Sequence, residues 1–133
     1  MSRPVPVLLV THRGFGEGLL SAAESILGRR PEVTHLSNEG LSPEALGEAI
    51  DAWLEACTGP ALILTDLGFG SCCQTARRAT RDRETVGILA GVNLPVLLAV
   101  VRSGEQEDFR ALLEHLRHRG QGSLELYLGG ERL

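Results

Sequence analysis

Three short segments hold the residues that could do chemistry. His12 directly follows the aliphatic run Val5-Pro6-Val7-Leu8-Leu9-Val10-Thr11, and Asp66 ends a second such run, Pro60-Ala61-Leu62-Ile63-Leu64-Thr65. A glycine-rich turn, Gly68-Phe69-Gly70-Ser71, comes immediately after. A carboxylate bonded to one imidazole nitrogen fixes the ring's tautomer and leaves the other nitrogen free as a nucleophile. Ser71 and the backbone N–H groups of a helix opening there could hold phosphate oxygens, aided by the helix dipole. This is a constellation for phosphoryl transfer without a metal ligand set. Each part has a structural alternative: a histidine ending a strand, an aspartate capping a turn, glycines serving turn geometry. A nucleotide fingerprint is absent, since neither GxGxxG after the first strand nor GxxxxGK[ST] occurs.

The elements that must position these residues alternate between strand and helix. The runs over 5–11 and 60–66 are continuously apolar, which suits strands buried on both faces of a parallel sheet. Leu19, Leu20, Ala23, Ile26 and Leu27 recur at helical spacing, with Gly28 as a stop. Val33–Ser37 reads as a weaker strand, and Ser42-Pro43 as the start of a helix with Leu46, Ala49, Ile50, Trp53 and Leu54 on one face. A third helix is expected over about Cys72–Arg83 and a fourth strand over Thr85–Ala90. Asn93 should cap a short helix from Leu94-Pro95. Ser103 with Gln106 offers a capping box for a last helix holding Phe109, Leu112, Leu113 and Leu116, and Leu124–Leu128 reads as a final strand.

The expected fold class is α/β: one compact domain over residues 1–133, with a three-layer, open, mainly parallel sheet and helices on both faces. In such sheets ligands gather beyond the carboxyl ends of the strands, where strand order reverses. His12, Asp66–Ser71 and Gly91-Val92-Asn93-Leu94-Pro95 all fall at strand ends, so one rim would collect them.

Composition narrows the function classes. The net charge of −4 argues against broad nucleic-acid binding, although Arg77, Arg78, Arg81 and Arg83 form a local basic run that also reads as a solvated helix face. No apolar run reaches the roughly 18–20 residues of a membrane span, and the N-terminus shows no secretory signal pattern. Cys57, Cys72 and Cys73 are odd in number and lack a CxxC pair, which argues against a disulfide scaffold or a cysteine-based zinc site. A cytoplasmic location is therefore expected. Cys72-Cys73 opens a helix whose N-terminus can lower a thiol pKa, with plain packing as the alternative. His35 sits in the weak strand, and His115 and His118, one turn apart, lack a third metal ligand in view.

Taken together, Thr11-His12, the segment Gly18–Gly28, Leu64-Thr65-Asp66-Leu67 with Gly70-Ser71, and Ala90–Leu98 with its Gly-Val-Asn-Leu-Pro core resemble the mannose-family IIA component of the bacterial sugar phosphotransferase system. The resemblance runs over about residues 5–101 in conserved order and spacing. It implies that His12 accepts a phosphoryl group from the carrier protein HPr and donates it to a IIB component, with Asp66 orienting the imidazole and Ser71 and nearby amides, including that of Gly70, around the phosphate. It further implies a homodimer in which each chain's last strand joins the partner's sheet, with neither cofactor nor metal.

The chain departs from the family at two places. Gly usually follows the histidine, where this chain has Arg13, which either adds a cation beside the phosphate or points into solvent. The usual Gly-Gly-Ser-Pro turn reads Phe69-Gly70-Ser71-Cys72, with Gln74 in place of a common Asn. Two other functions remain open: a regulatory IIA-like phosphocarrier, or the related phosphoryl donor of dihydroxyacetone kinase, and a non-catalytic small-ligand binding domain using the same rim.

Overall fold

The computed structural model describes residues 4–103 and 108–133. Strands β1 (Val7–Thr11), β2 (Thr34–Ser37), β3 (Ala61–Thr65) and β4 (Val86–Ala90) form one parallel sheet in the order β2-β1-β3-β4. The helices are α1 (Phe15–Leu27), α2 (Pro43–Glu55), α3 (Ser71–Ala79), α4 (Leu94–Arg102) and α5 (Phe109–Gln121). This is the three-layer α/β arrangement expected from the sequence.

The layers follow from the period-2 geometry of a strand, which sends alternate side chains to opposite faces. Val7 and Leu9 of β1 join Leu62 and Leu64 of β3 against Leu20, Leu97 and Leu116 of α1, α4 and α5. Leu8, Val10 and Ile63 point the other way, against Leu46, Ile50 and Leu54 of α2 and Cys72 and Ala76 of α3. Both faces are therefore apolar, which is why the strands read as continuous aliphatic runs. Each fully buried Leu or Ile in these clusters contributes roughly 2–3 kcal/mol relative to exposure.

Helix ends explain several boundaries. Ser42 Oγ accepts from the Ala45 N–H at 3.1 Å with Pro43 behind it, and Asn93 Oδ1 accepts from the Val96 N–H at 3.0 Å. Gly28 closes α1. Helix α3 is shorter than its expected extent to Arg83, because it stops at Thr80, whose hydroxyl bonds back to the Ala76 carbonyl at 2.9 Å. Asp108 caps α5, accepting from the Arg110 and Ala111 N–H groups, and Ser103 ends α4. Gln106, the other half of the expected Ser103 capping box, lies outside the described residues.

The C-terminal segment corrects the expectation of a single strand over Leu124–Leu128. Residues Tyr127–Leu128 (β5) and Glu131–Arg132 (β6) pair antiparallel as a small hairpin apart from the main sheet. Its turn residues, Gly129 and Gly130, both have positive φ, 58° and 89°, the backbone that a tight hairpin turn requires and that glycine adopts without a Cβ clash. Among the described residues, no helix is long and apolar enough to cross a membrane.

Candidate functional site

Strand order decides where the site lies. From β1 the chain moves to β2 on one side and later to β3 on the other, so the order reverses between β1 and β3, where a crevice opens beyond the strand ends. Val10 pairs with Thr65. The residues just past those strand ends, His12 and Asp66, therefore face each other.

Asp66 contacts His12 through two groups. Its Oδ2 accepts the His12 backbone N–H at 2.8 Å, and the ring Nδ1 lies 2.9 Å from Oδ2 and 3.1 Å from Oδ1. An ionised carboxylate only accepts, so Nδ1 carries the proton and Nε2 holds the free lone pair. Nε2 lies 3.3 Å from Ser71 Oγ at the start of α3. Asp66 is mostly covered, with its side chain 10% exposed, whereas the His12 side chain is 36% exposed. The carboxylate is thus sheltered and the nucleophilic edge is open.

Gly70 is the N-cap of α3 and no side chain caps that helix, so its first N–H groups face the rim without a side-chain acceptor. A Cβ at Gly70 would sit 3.0 Å from His12 Cε1, so glycine here permits the close approach of turn and ring. Gly68 has no comparable contact: a Cβ there would meet Ala90 Cβ at 3.7 Å, an ordinary distance. Phe69 is 81% exposed beside this turn.

Arg13 is the one non-glycine residue with positive φ, 44°, among the described residues. That backbone is a physical reason for glycine after the histidine. Here it is held from the end of β2: the Arg13 N–H donates to Asn38 Oδ1 at 3.0 Å, and Ser37 Oγ donates to the Arg13 carbonyl at 2.9 Å. The Asn38 N–H donates to the Thr11 carbonyl at 3.0 Å. Sequence reasoning missed Ser37 and Asn38; only their position after the weak second strand pointed to this rim. The Arg13 side chain is exposed and joins no ion pair among the described residues.

The Gly-Val-Asn-Leu-Pro segment supports the site from behind. The Gly91 and Val92 N–H groups both donate to the Thr65 carbonyl at 2.9 Å, and Asn93 Nδ2 donates to the Gly120 carbonyl at 3.3 Å. It fixes the end of β3, and with it Asp66, and ties α4 to α5.

His35 lies behind the rim, its Nε2 3.1 Å from Thr11 Oγ1, which accepts the Gly16 N–H at 3.0 Å. Burial holds its pKa below the usual histidine value, with nearby Glu17 opposing the shift. His115 and His118 stand on α5, whose C-terminal turn is tied to Asn93. Cys72, in the first turn of α3, is fully buried, and its thiol is pushed up to about 11, first by burial and then by the negative Asp66. This is the reverse of a thiol activated by a helix N-terminus. The structure also brings Cys72 close to the site: donor atoms of His12, Asp66 and Cys72 all lie within 4.8 Å of one another.

The fold is that of sugar phosphotransferase IIA proteins. Residues 6–117 match the family model EIIA-man, described as PTS system fructose IIA component, and the chain belongs to that family. It is 30% identical over 106 residues to the mannose-specific EIIAB component of Escherichia coli K12, a match covering 77% of this chain and 33% of that protein. The chain thus spans about a third of that relative's length. To the sorbose-specific EIIA component of Lacticaseibacillus casei it is 27% identical over 114 residues, covering 83% of this chain and 81% of the relative. Among solved structures, an EIIA component from Streptococcus agalactiae superposes with a TM-score of 0.81 at 22% identity, over 90% of this chain and 95% of that one. A IIA protein of the fucose utilization operon of Streptococcus pneumoniae gives 0.75 at 26% identity, over 92% and 93%. Family membership makes the chain a IIA-type phosphotransferase-system component and supports a phosphoryl-carrier role.

Proposed function

We propose that this chain, as one domain over residues 1–133, accepts a phosphoryl group from HPr on His12 Nε2 and passes it to a IIB component. The observation that carries this reading is the pair of hydrogen bonds from the His12 backbone N–H and ring Nδ1 to Asp66, which keeps the ring proton on Nδ1 and leaves the Nε2 lone pair toward Ser71 and the uncapped start of α3. In the forward step the Nε2–P bond forms as the donor's bond to phosphorus breaks. The ring gains positive charge, which the Asp66 carboxylate offsets. Ser71 Oγ and the N–H groups following Gly70 receive the phosphoryl oxygens, and Arg13 adds a cation at the open side. Transfer onward reverses these changes with the IIB component as acceptor. The reaction uses no cofactor and runs in the cytoplasm.

We further read the C-terminal hairpin as the arm of a homodimer. Among the described residues the far edge of β4 has no strand partner in the sheet, and a groove of about 540 Å³ runs beside it between Ile88–Gly91 and α5. Leu124 lines this groove on its own chain, whereas Leu126 and Leu128 are 64% and 72% exposed, an apolar pair suited to such a groove on a second copy.

Phosphorylated HPr, purified away from Enzyme I and phosphoenolpyruvate, tests the function. Mixed with this protein it should transfer one phosphoryl group per chain, which a cognate IIB component then removes. A chain that stays unmodified by intact-mass spectrometry would instead be a binding domain.

A further inference from the structure

We propose that His12, Asp66 and Cys72 form a capture site for a thiophilic divalent cation, zinc foremost, whose binding blocks His12. The blocking consequence rests on the phosphocarrier reading; the binding itself does not. Among the described residues this is the one group of three histidine, cysteine or carboxylate side chains with donor atoms mutually within 4.8 Å. Zinc bonds to nitrogen and oxygen at about 2.0–2.2 Å and to sulfur at about 2.3 Å, so donors around a tetrahedral ion stand about 3.3–3.8 Å apart. His12 and Asp66 already meet at 2.9 Å, and drawing Cys72 Sγ into the set takes a shift of about an ångström.

The three donors come from the ends of β1 and β3 and from the first turn of α3, elements tied together through the sheet and the core cluster that contains Cys72. They are therefore largely preorganised. His12, whose side chain is 36% exposed, gives an ion access, and a water can complete a fourth position. One sulfur with one imidazole and one carboxylate selects zinc, cobalt or cadmium over magnesium and calcium, whose preferred ligands are all oxygen. Loading releases the Cys72 thiol proton to solvent and moves the His12 Nδ1 proton to Nε2 as the sulfur–metal and Nδ1–metal bonds form, with no change of oxidation state. It also engages a His12 nitrogen and the Asp66 carboxylate, the two groups that phosphoryl transfer needs. Metal and phosphoryl group then compete for one site.

Cobalt(II) is the direct probe, because a thiolate–cobalt bond gives a near-ultraviolet charge-transfer band. The full chain should take up one cobalt with that band, and zinc but not magnesium should displace it. The band should vanish in Cys72→Ala, which leaves Cys57 and Cys73 in place as internal controls. Asp66→Asn, kept as a second variant in case the core substitution does not fold, should weaken cobalt binding by about tenfold or more. Zinc should also suppress labelling by purified phospho-HPr, with recovery on adding a chelator. No thiolate band, or a band that persists in folded Cys72→Ala, overturns the site; labelling undiminished in zinc-loaded protein overturns the blocking. Labelling that fails even without metal, while the cobalt band forms, sinks the phosphocarrier reading and leaves the metal site standing.

Discussion

Asp66 holds His12 by its main chain and its ring at once, at 2.8 Å to the backbone N–H and 2.9 Å to Nδ1. One carboxylate therefore sets both where β1 ends and which ring nitrogen is free.

Asp66→Asn keeps an acceptor for the backbone N–H but can turn an N–H donor toward Nδ1. That favours the tautomer with the proton on Nε2, where the incoming phosphorus must bond. The variant should fold like the parent and accept phosphoryl groups about a hundredfold more slowly. Rapid-quench transfer from phospho-HPr, with circular dichroism for the fold, measures both; an unchanged rate would reduce Asp66 to a structural cap.

Arg13 carries two separable effects, a backbone with φ of 44° and an exposed charge beside the site. Arg13→Gly relieves a left-handed strain of about 1–2 kcal/mol while adding about 0.5–1 kcal/mol of unfolded-state freedom, so stability should hold or rise by up to about 1.5 kcal/mol. Arg13→Ala keeps the strain. Both should lower the fraction phosphorylated at a fixed phospho-HPr to HPr ratio, severalfold at low salt and less at high salt. Urea unfolding followed by Trp53 fluorescence reads the first effect and intact-mass spectrometry the second. A phosphorylated fraction equal to the parent's at low salt would place the guanidinium in solvent.

His35 has a folded pKa depressed by burial, so the unfolded chain binds its proton first as pH falls. Its contribution is fully present above the unfolded value of 6.5 and is lost as pH drops through that value toward the folded one. His35→Gln, which can still accept from Thr11 Oγ1, should flatten this part of the stability profile. Chemical denaturation at intervals from pH 7.5 to about pH 5 gives the comparison. Parallel profiles for the two proteins would mean that another group controls the acid side.

Gly70→Ala puts a methyl 3.0 Å from His12 Cε1, tighter than an ordinary packed contact by a few tenths of an ångström. The ring must shift from Asp66 or the turn must open. Because the site is at the rim rather than in the core, melting temperature should change little while the labelling rate falls about tenfold or more. A Gly68→Ala control, whose Cβ meets only Ala90 at 3.7 Å, should label nearly normally. Equal rates for both variants would show that the turn has room to spare.

Much of this architecture was legible in the sequence where local signals and burial agree. The aliphatic runs ending at Thr11 and Thr65 suited strands covered on both faces, and with those strands as neighbours, as the sheet has them, His12 and Asp66 meet at one rim. Ser42 and Asn93 announced their helices through capping chemistry. The C-terminus was less legible, because Leu124–Leu128 has strand composition but the following Gly129-Gly130 folds it into a hairpin away from the sheet. Spacing also gives no φ value and no inward direction for a side chain. The strained Arg13, its hold by Ser37 and Asn38, and the approach of Cys72 to His12 therefore emerged only with the fold.

The central claim is that His12 alone carries the phosphoryl group, and one labelling experiment meets it directly. Parent and His12→Ala are incubated with Enzyme I, HPr and phosphoenolpyruvate, and the modification is counted by intact mass and mapped under conditions that preserve phosphohistidine. The parent should gain one phosphoryl group, mapped to His12, and the variant none. Label retained by the variant, or found on His35, His115 or His118 of the parent, would contradict the account.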